Sequence, residues 1–105
     1  MLAGVTIVDP ATTYVDAGVS IEQDAVIHPF TVLRGGTRVG ARSEVGPHVV
    51  AVDATFGSDV CVGPFCYLRP GTVLEQGSKA GTFVELKGSR VGEHAKVPHL
   101  SYMGD

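Results

Sequence analysis

Aliphatic residues recur along this chain every six positions: Val15, Ile21, Ile27, Leu33, Val39 and Val45, then Val50, Phe56, Val62, Leu68, Leu74, Ala80 and Leu86, then Val91, Val97 and Met103. The two shorter steps, of five residues, fall at 45 to 50 and at 86 to 91. A helix needs a period of 3.6 and tolerates little Gly or Pro, whereas this chain of 105 residues carries 14 Gly and 6 Pro. A six-residue period with turn residues at a fixed offset predicts a parallel β-helix. Four residues after most inward positions stands a small residue, among them Ala25, Thr31, Thr37, Ser43, Ala54, Cys66, Thr72, Ser78 and Ala95. Three residues after stand residues tolerant of a left-handed backbone: Gly18, Asp24, Gly36, Asp53, Asp59, Gly71 and Gly77.

Three hexads make one triangular coil of about 18 residues, so the chain predicts a little over five coils, a prism about 25 Å tall at roughly 4.8 Å per rung. A thin aliphatic column needs no bulky side chains, which fits a chain with 7% aromatic residues and no Trp. Residues 1–14, with Asp9-Pro10-Ala11, break the pattern and read as a lead-in segment; residues 15–105 form the solenoid domain.

The period also predicts contacts. Arg69 and Lys87 each follow an inward residue and stand 18 apart, so they project from adjacent rungs of one face. Like charges at rung spacing repel, which predicts either an anion between them or an acid such as Glu85, or one from a neighbouring subunit, beside one of them. One corner gathers Pro29-Phe30, Pro47-His48, Pro64-Phe65, Thr82-Phe83 and His99-Leu100. Its rings cover the corner or form an oligomer seam. His99 lies at this corner, where an imidazole beside an anion site can act as a general base; His28, His48 and His94 read as solvated corner residues.

A net charge of −3 gives no electrostatic footprint for nucleic acid. No stretch is long and apolar enough for a membrane span, and no signal-peptide pattern is visible, so the reading is cytoplasmic. Cys61 and Cys66 form no metal or disulfide motif.

Three segments, Gly63-Pro64-Phe65-Cys66-Tyr67-Leu68-Arg69-Pro70-Gly71, Phe83-Val84-Glu85-Leu86-Lys87 and Lys96-Val97-Pro98-His99-Leu100-Ser101-Tyr102-Met103-Gly104-Asp105, resemble a known hexapeptide-repeat transferase family. It is the acetyltransferase half of the bacterial bifunctional N-acetylglucosamine-1-phosphate uridylyltransferase and glucosamine-1-phosphate N-acetyltransferase. Gly4-Val5-Thr6-Ile7-Val8-Asp9-Pro10 is also similar to the start of that domain. The resemblance implies a left-handed parallel β-helix, since periodicity alone gives no handedness. It implies transfer of acetyl from acetyl-CoA to glucosamine 1-phosphate, in UDP-N-acetylglucosamine and cell-wall precursor synthesis, by a homotrimer. Arg69 and Lys87 would bind the sugar phosphate, His99 would be the catalytic base, and Tyr102 would contact the substrate. Glu85 would balance Lys87 or orient the base. No metal is expected in this segment.

The family's nucleotidyltransferase domain and its later coils, with most of the acetyl-CoA surface, have no counterpart here. The expectation is therefore the sugar-phosphate side of a site, weakly active or inactive by itself. Two alternatives stand beside it: a non-catalytic trimerisation scaffold, and a zinc carbonic-anhydrase-like β-helix using His94 and His99.

Overall fold

The computed structural model describes residues 4–104, and they form an all-β prism measuring 33 × 22 × 20 Å. Its three faces are parallel sheets. The first stacks Thr6–Ile7, Val26–Ile27, Glu44–Val45, Cys61–Val62, Lys79–Ala80 and Lys96–Val97. The second stacks Tyr14–Val15, Val32–Arg34, Val49–Val52, Cys66–Leu68, Val84–Leu86 and Tyr102–Met103. The third stacks Ser20–Ile21, Arg38–Val39, Thr55–Phe56, Val73–Leu74 and Arg90–Val91. The chain visits the faces in turn, so every ladder is closed by a residue one coil away. The fold is the parallel β-helix expected from the repeat, of about five turns, and it is left-handed as the resemblance implies. The segment 1–14 contains the strand Thr6–Ile7, which pairs with Val26–Ile27 and so already lies on the first face.

The strands are two to four residues long because the inward direction is used once per hexad. Ile27, Leu33, Val45, Leu68, Leu74 and Leu86 are fully buried, each contributing roughly 1.5–3 kcal/mol by leaving water. The phase differs from expectation at one place. Val50 is only half-buried, while Val49 and Ala51 are fully buried. Leu33 and Leu68 both pair with Ala51 in the ladder, so the five-residue step runs from Ala51 to Phe56. That coil takes Phe56, the one buried aromatic ring among the described residues, and a small Ala51 on the neighbouring face leaves it room.

The corners are held by small polar residues. Thr31, Thr37, Ser43, Thr72 and Ser78 are buried, and most of these hydroxyls replace missing backbone partners at the bends. Ser43 Oγ donates to the Gly57 carbonyl at 2.8 Å and accepts from the Val60 N–H at 3.1 Å. Thr72 Oγ1 donates to the Leu86 carbonyl at 3.1 Å. Ala95, on the last coil, is exposed.

Left-handed backbone occurs at Asp24, Asp53, Asp59, Gly71 and Gly77 as predicted. It does not occur at Gly18 or Gly36. At the second of these bends Gly35 takes the positive φ instead, +65°, and the Gly36 N–H is left to bond the Asp53 carboxylate at 2.6 Å. Arg42 and His94 also adopt it. So does every residue of one corner column: Phe30, His48, Phe65, Phe83 and Leu100 have φ between 56° and 62°.

Candidate functional site

That column stands where the first face turns into the second. Phe30, His48, Phe65 and Phe83 stack ring on ring, with centroid separations of 5.0, 4.8 and 5.2 Å and interplanar angles of 8°, 6° and 14°. His48 is thus an integral member of the stack and no isolated corner histidine. The three Phe rings and Leu100 are about half exposed or more.

On the second face, Tyr67, Glu85 and Tyr102 occupy one outward column on successive rungs. Leu68 and Leu86 pair beneath, both fully buried. The next residues, Arg69 and Lys87, therefore leave the face at the same point of adjacent coils, their N–H groups each bonding a carbonyl one rung on, Leu86 and Met103, at 2.8 Å. The spacing argument is correct for the backbone. Of the two outcomes it allowed for the charges, the structure has the acid: Arg69 Nη1 lies 3.3 Å from Glu85 Oε2. The guanidinium also sits 5.9 Å above the centre of the Tyr67 ring. Lys87 is half-buried and, among the described residues, has no carboxylate within ion-pair distance.

The Arg69, Glu85 and Lys87 cluster keeps one positive charge in excess. The ion pair within it is more than a third exposed at both ends, and such a pair is worth at most about 1 kcal/mol. A phosphate dianion offers Arg69 a doubly charged, fork-matching acceptor and can displace Glu85. Glu85, Tyr67 and Tyr102 border a hollow of about 500 Å³ closed on the corner side by Phe83 and Leu100.

His99 opens on the other side of that corner. It lines a larger open groove of about 1080 Å³ on the first face, together with Gly81, Pro98, Phe83 and Leu100. Within one chain the aromatic corner thus lies between His99 and the Arg69, Glu85, Tyr102 group. His94 lies at a different corner, between the third and first faces, packed over Gly77. Among the described residues no three His, Cys, Asp or Glu side chains are grouped to hold a metal ion, so His94 and His99 make no zinc centre by themselves. Cys66 is buried, which pushes its thiol pKa up, and its Sγ faces the Gly81 carbonyl. Among the described residues no helix is long and apolar enough to cross a membrane.

Comparison with known proteins fits this frame. Residues 18–50 match the family described as bacterial transferase hexapeptide (six repeats). The whole chain aligns with the bifunctional protein GlmU of Streptomyces coelicolor at 53% identity, over 121 residues that make up 25% of that protein. The GlmU protein of Desulfitobacterium hafniense aligns at 46% identity, again with all of this chain and 27% of its own length. The chain spans about a quarter of the length of these curated relatives. Because 105 residues are matched to 121, the relatives carry at least 16 residues between the matched ends that this chain lacks. Among solved structures, a mutant perosamine N-acetyltransferase from Caulobacter crescentus, in complex with CoA and GDP-perosamine, superposes with a TM-score of 0.76 at 18% identity. That match covers 97% of this chain and 51% of the other. The acetyltransferase domain of PglB from Neisseria gonorrhoeae, in complex with acetyl coenzyme A, superposes at 0.58, also at 18% identity, covering 97% and 52%. These structural likenesses establish the fold.

Proposed function

We propose, for a chain that resembles along its whole length the hexapeptide-repeat acetyltransferase part of bacterial GlmU proteins, that it supplies the sugar-phosphate side of a glucosamine-1-phosphate N-acetyltransferase site. The observation that supports this most directly is the Arg69, Glu85, Lys87 and Tyr102 group, built on adjacent rungs of one face. Arg69 and Lys87 hold the phosphate, and Tyr102 borders the sugar. His99 takes a proton from the 2-ammonium group of the substrate, because an ammonium has no lone pair to attack with. The freed amine adds to the thioester carbonyl of acetyl-CoA; the C–N bond forms, the C–S bond breaks and the adduct nitrogen gives up a second proton, so that of the two protons lost one ends on the departing thiolate and one in solvent. Acetyl-CoA is the co-substrate in this reading, and the relatives' remaining length supplies most of its surface.

The placement of His99 across the corner from Arg69 supports a site shared between copies. In a homotrimer the first face of one chain meets the second face of the next, bringing one chain's His99 to another's Arg69 and Lys87. The second face suits this: Tyr14, Val32, Val50 and Tyr67 form an outward, largely apolar column beside the ring stack. Activity belongs to the assembled enzyme, in UDP-N-acetylglucosamine synthesis in the cytoplasm.

Calorimetry with glucosamine 1-phosphate tests the assignment. The chain is expected to bind weakly, and the double variant Arg69→Ala, Lys87→Ala to lose at least tenfold in affinity. Equal binding by both, or none by either, would sink it. Light scattering combined with an acetyl-transfer assay separates this from a bare scaffold. A trimer that binds no sugar phosphate favours the scaffold.

A further inference from the structure

Tyr67 has no part in the chemistry above, yet it stands against a residue that does. It precedes Arg69 by two positions, with the fully buried Leu68 between them, so both side chains turn away from the core. The Arg69 guanidinium lies 5.9 Å above the centre of the Tyr67 ring, within the range at which an aromatic face attracts a cation. The ring is 43% exposed and the arginine side chain 36%, so the pair is partly withdrawn from water.

The surroundings of Arg69 give that contact its weight. Leu68 pairs with Ala51 on one side and Leu86 on the other, so the neighbours of Arg69 along its column are Val52 and Lys87. Val52 offers the guanidinium no polar group, and the Lys87 ammonium repels it. Two groups hold it against that repulsion: the Glu85 carboxylate, 3.3 Å away, and the Tyr67 ring. An incoming phosphate competes with Glu85 for the same N–H donors. A ring attracts the charge without using up those donors, so its contact persists when phosphate binds. Arg34 lies over Tyr14 in the same way, at 5.6 Å, but its column neighbours are Asp16 and Val52, and no second cation adjoins it there. Resting on the sugar-phosphate reading, the geometry points to Tyr67 as the positioning residue of that site: its ring keeps the Arg69 guanidinium beside Lys87 both before and after phosphate displaces Glu85. An arginine gives up rotamer freedom when it grips an anion, and one already held over a ring has less to lose.

A double-mutant cycle read by calorimetry with glucosamine 1-phosphate tests this. Tyr67→Leu is expected to weaken binding about three- to fivefold, while Tyr67→Phe, which keeps an aromatic face, stays within about twofold of the wild type. In an Arg69→Ala background Tyr67→Leu is expected to change nothing further, whereas in a Lys87→Ala background it keeps its full effect. A role in packing alone weakens binding equally in both backgrounds, and that result overturns the positioning role. Circular dichroism melts of each variant establish that the prism is intact. NMR of the free chain gives a second reading, taken in a Glu85→Gln background so that the ring is the remaining contact of Arg69. There the Arg69 Nε–H is expected to be ordered with Tyr67 or Tyr67→Phe and mobile with Tyr67→Leu; equal mobility in all three overturns the clamp. Wild-type binding that does not respond to Tyr67→Leu defeats the role of Tyr67 alone. Absence of binding by the wild type defeats the sugar-phosphate reading, and the role of Tyr67 falls with it.

Discussion

Five residues with bulky side chains, Phe30, His48, Phe65, Phe83 and Leu100, hold a backbone conformation that costs an L-residue roughly 1–2 kcal/mol. Ring stacking returns about 0.5–1.5 kcal/mol for each of the three aromatic pairs, which offsets only part of that backbone cost in a single chain. Phe65→Ala removes two stacking contacts and keeps the backbone cost; Phe65→Gly removes the same contacts and relieves it. The Gly variant is therefore expected to be the more stable of the two, by on the order of 1 kcal/mol, as read from urea midpoints. A side chain elsewhere links stability to pH. Asp59 is held below its ordinary carboxylate range chiefly by the hydrogen bond from Arg42. Its folded pKa is lower than its unfolded one, so in acid the unfolded chain takes the proton first. Stability from this pair is complete above the unfolded value of 3.8 and is lost as pH falls through the folded one. Thermal melts below about pH 4 should show a smaller acid-induced fall in Asp59→Asn than in the wild type.

At the scale of a bend and its two flanking strands, the governing fact is that each coil must lie flat on the next. A Cβ on Gly40 would fall 2.4 Å from the backbone of Gly57 on the next coil, whereas one on Gly92 would meet nothing within 4 Å. Gly40→Ala is thus expected to cost several kcal/mol and Gly92→Ala less than about 1 kcal/mol, by chemical denaturation. Ser43→Ala strands the Gly57 carbonyl and the Val60 N–H together, for an expected loss of about 1–3 kcal/mol. The hexad pattern made these bends legible, since a buried aliphatic every six residues leaves a small residue only one place to stand. It misplaced the phase over Val49–Val52 because four consecutive aliphatics carry no internal contrast. Only the ladder with Leu33 and Leu68 selects Ala51 as the inward residue. The candidate site was legible to a similar depth. The 18-residue spacing placed Arg69 and Lys87 at the same point of adjacent coils, as the pairing of Leu68 with Leu86 bears out. The Arg69–Glu85 contact is a choice between two rotamer-rich partners that spacing cannot make.

Over the whole molecule the polar and apolar surfaces are sorted by face. The second face is apolar over its early coils and becomes polar at Glu85, while the first ends in Lys79 and Lys96. With the ring stack between them, this sorting predicts association through the corner. Light scattering should report a trimer, and Phe65→Asp with Phe83→Asp should shift it toward monomer while circular dichroism stays that of a β-helix. The coil spacings of 17 and 18 residues have a different consequence, for how such a molecule changes length. Every column is set by phase alone, so material enters or leaves without disturbance only in complete turns. Length in this architecture is counted like threads on a screw. A lineage can move a binding surface along the axis by about 5 Å at a time while each side chain keeps its bearing around it.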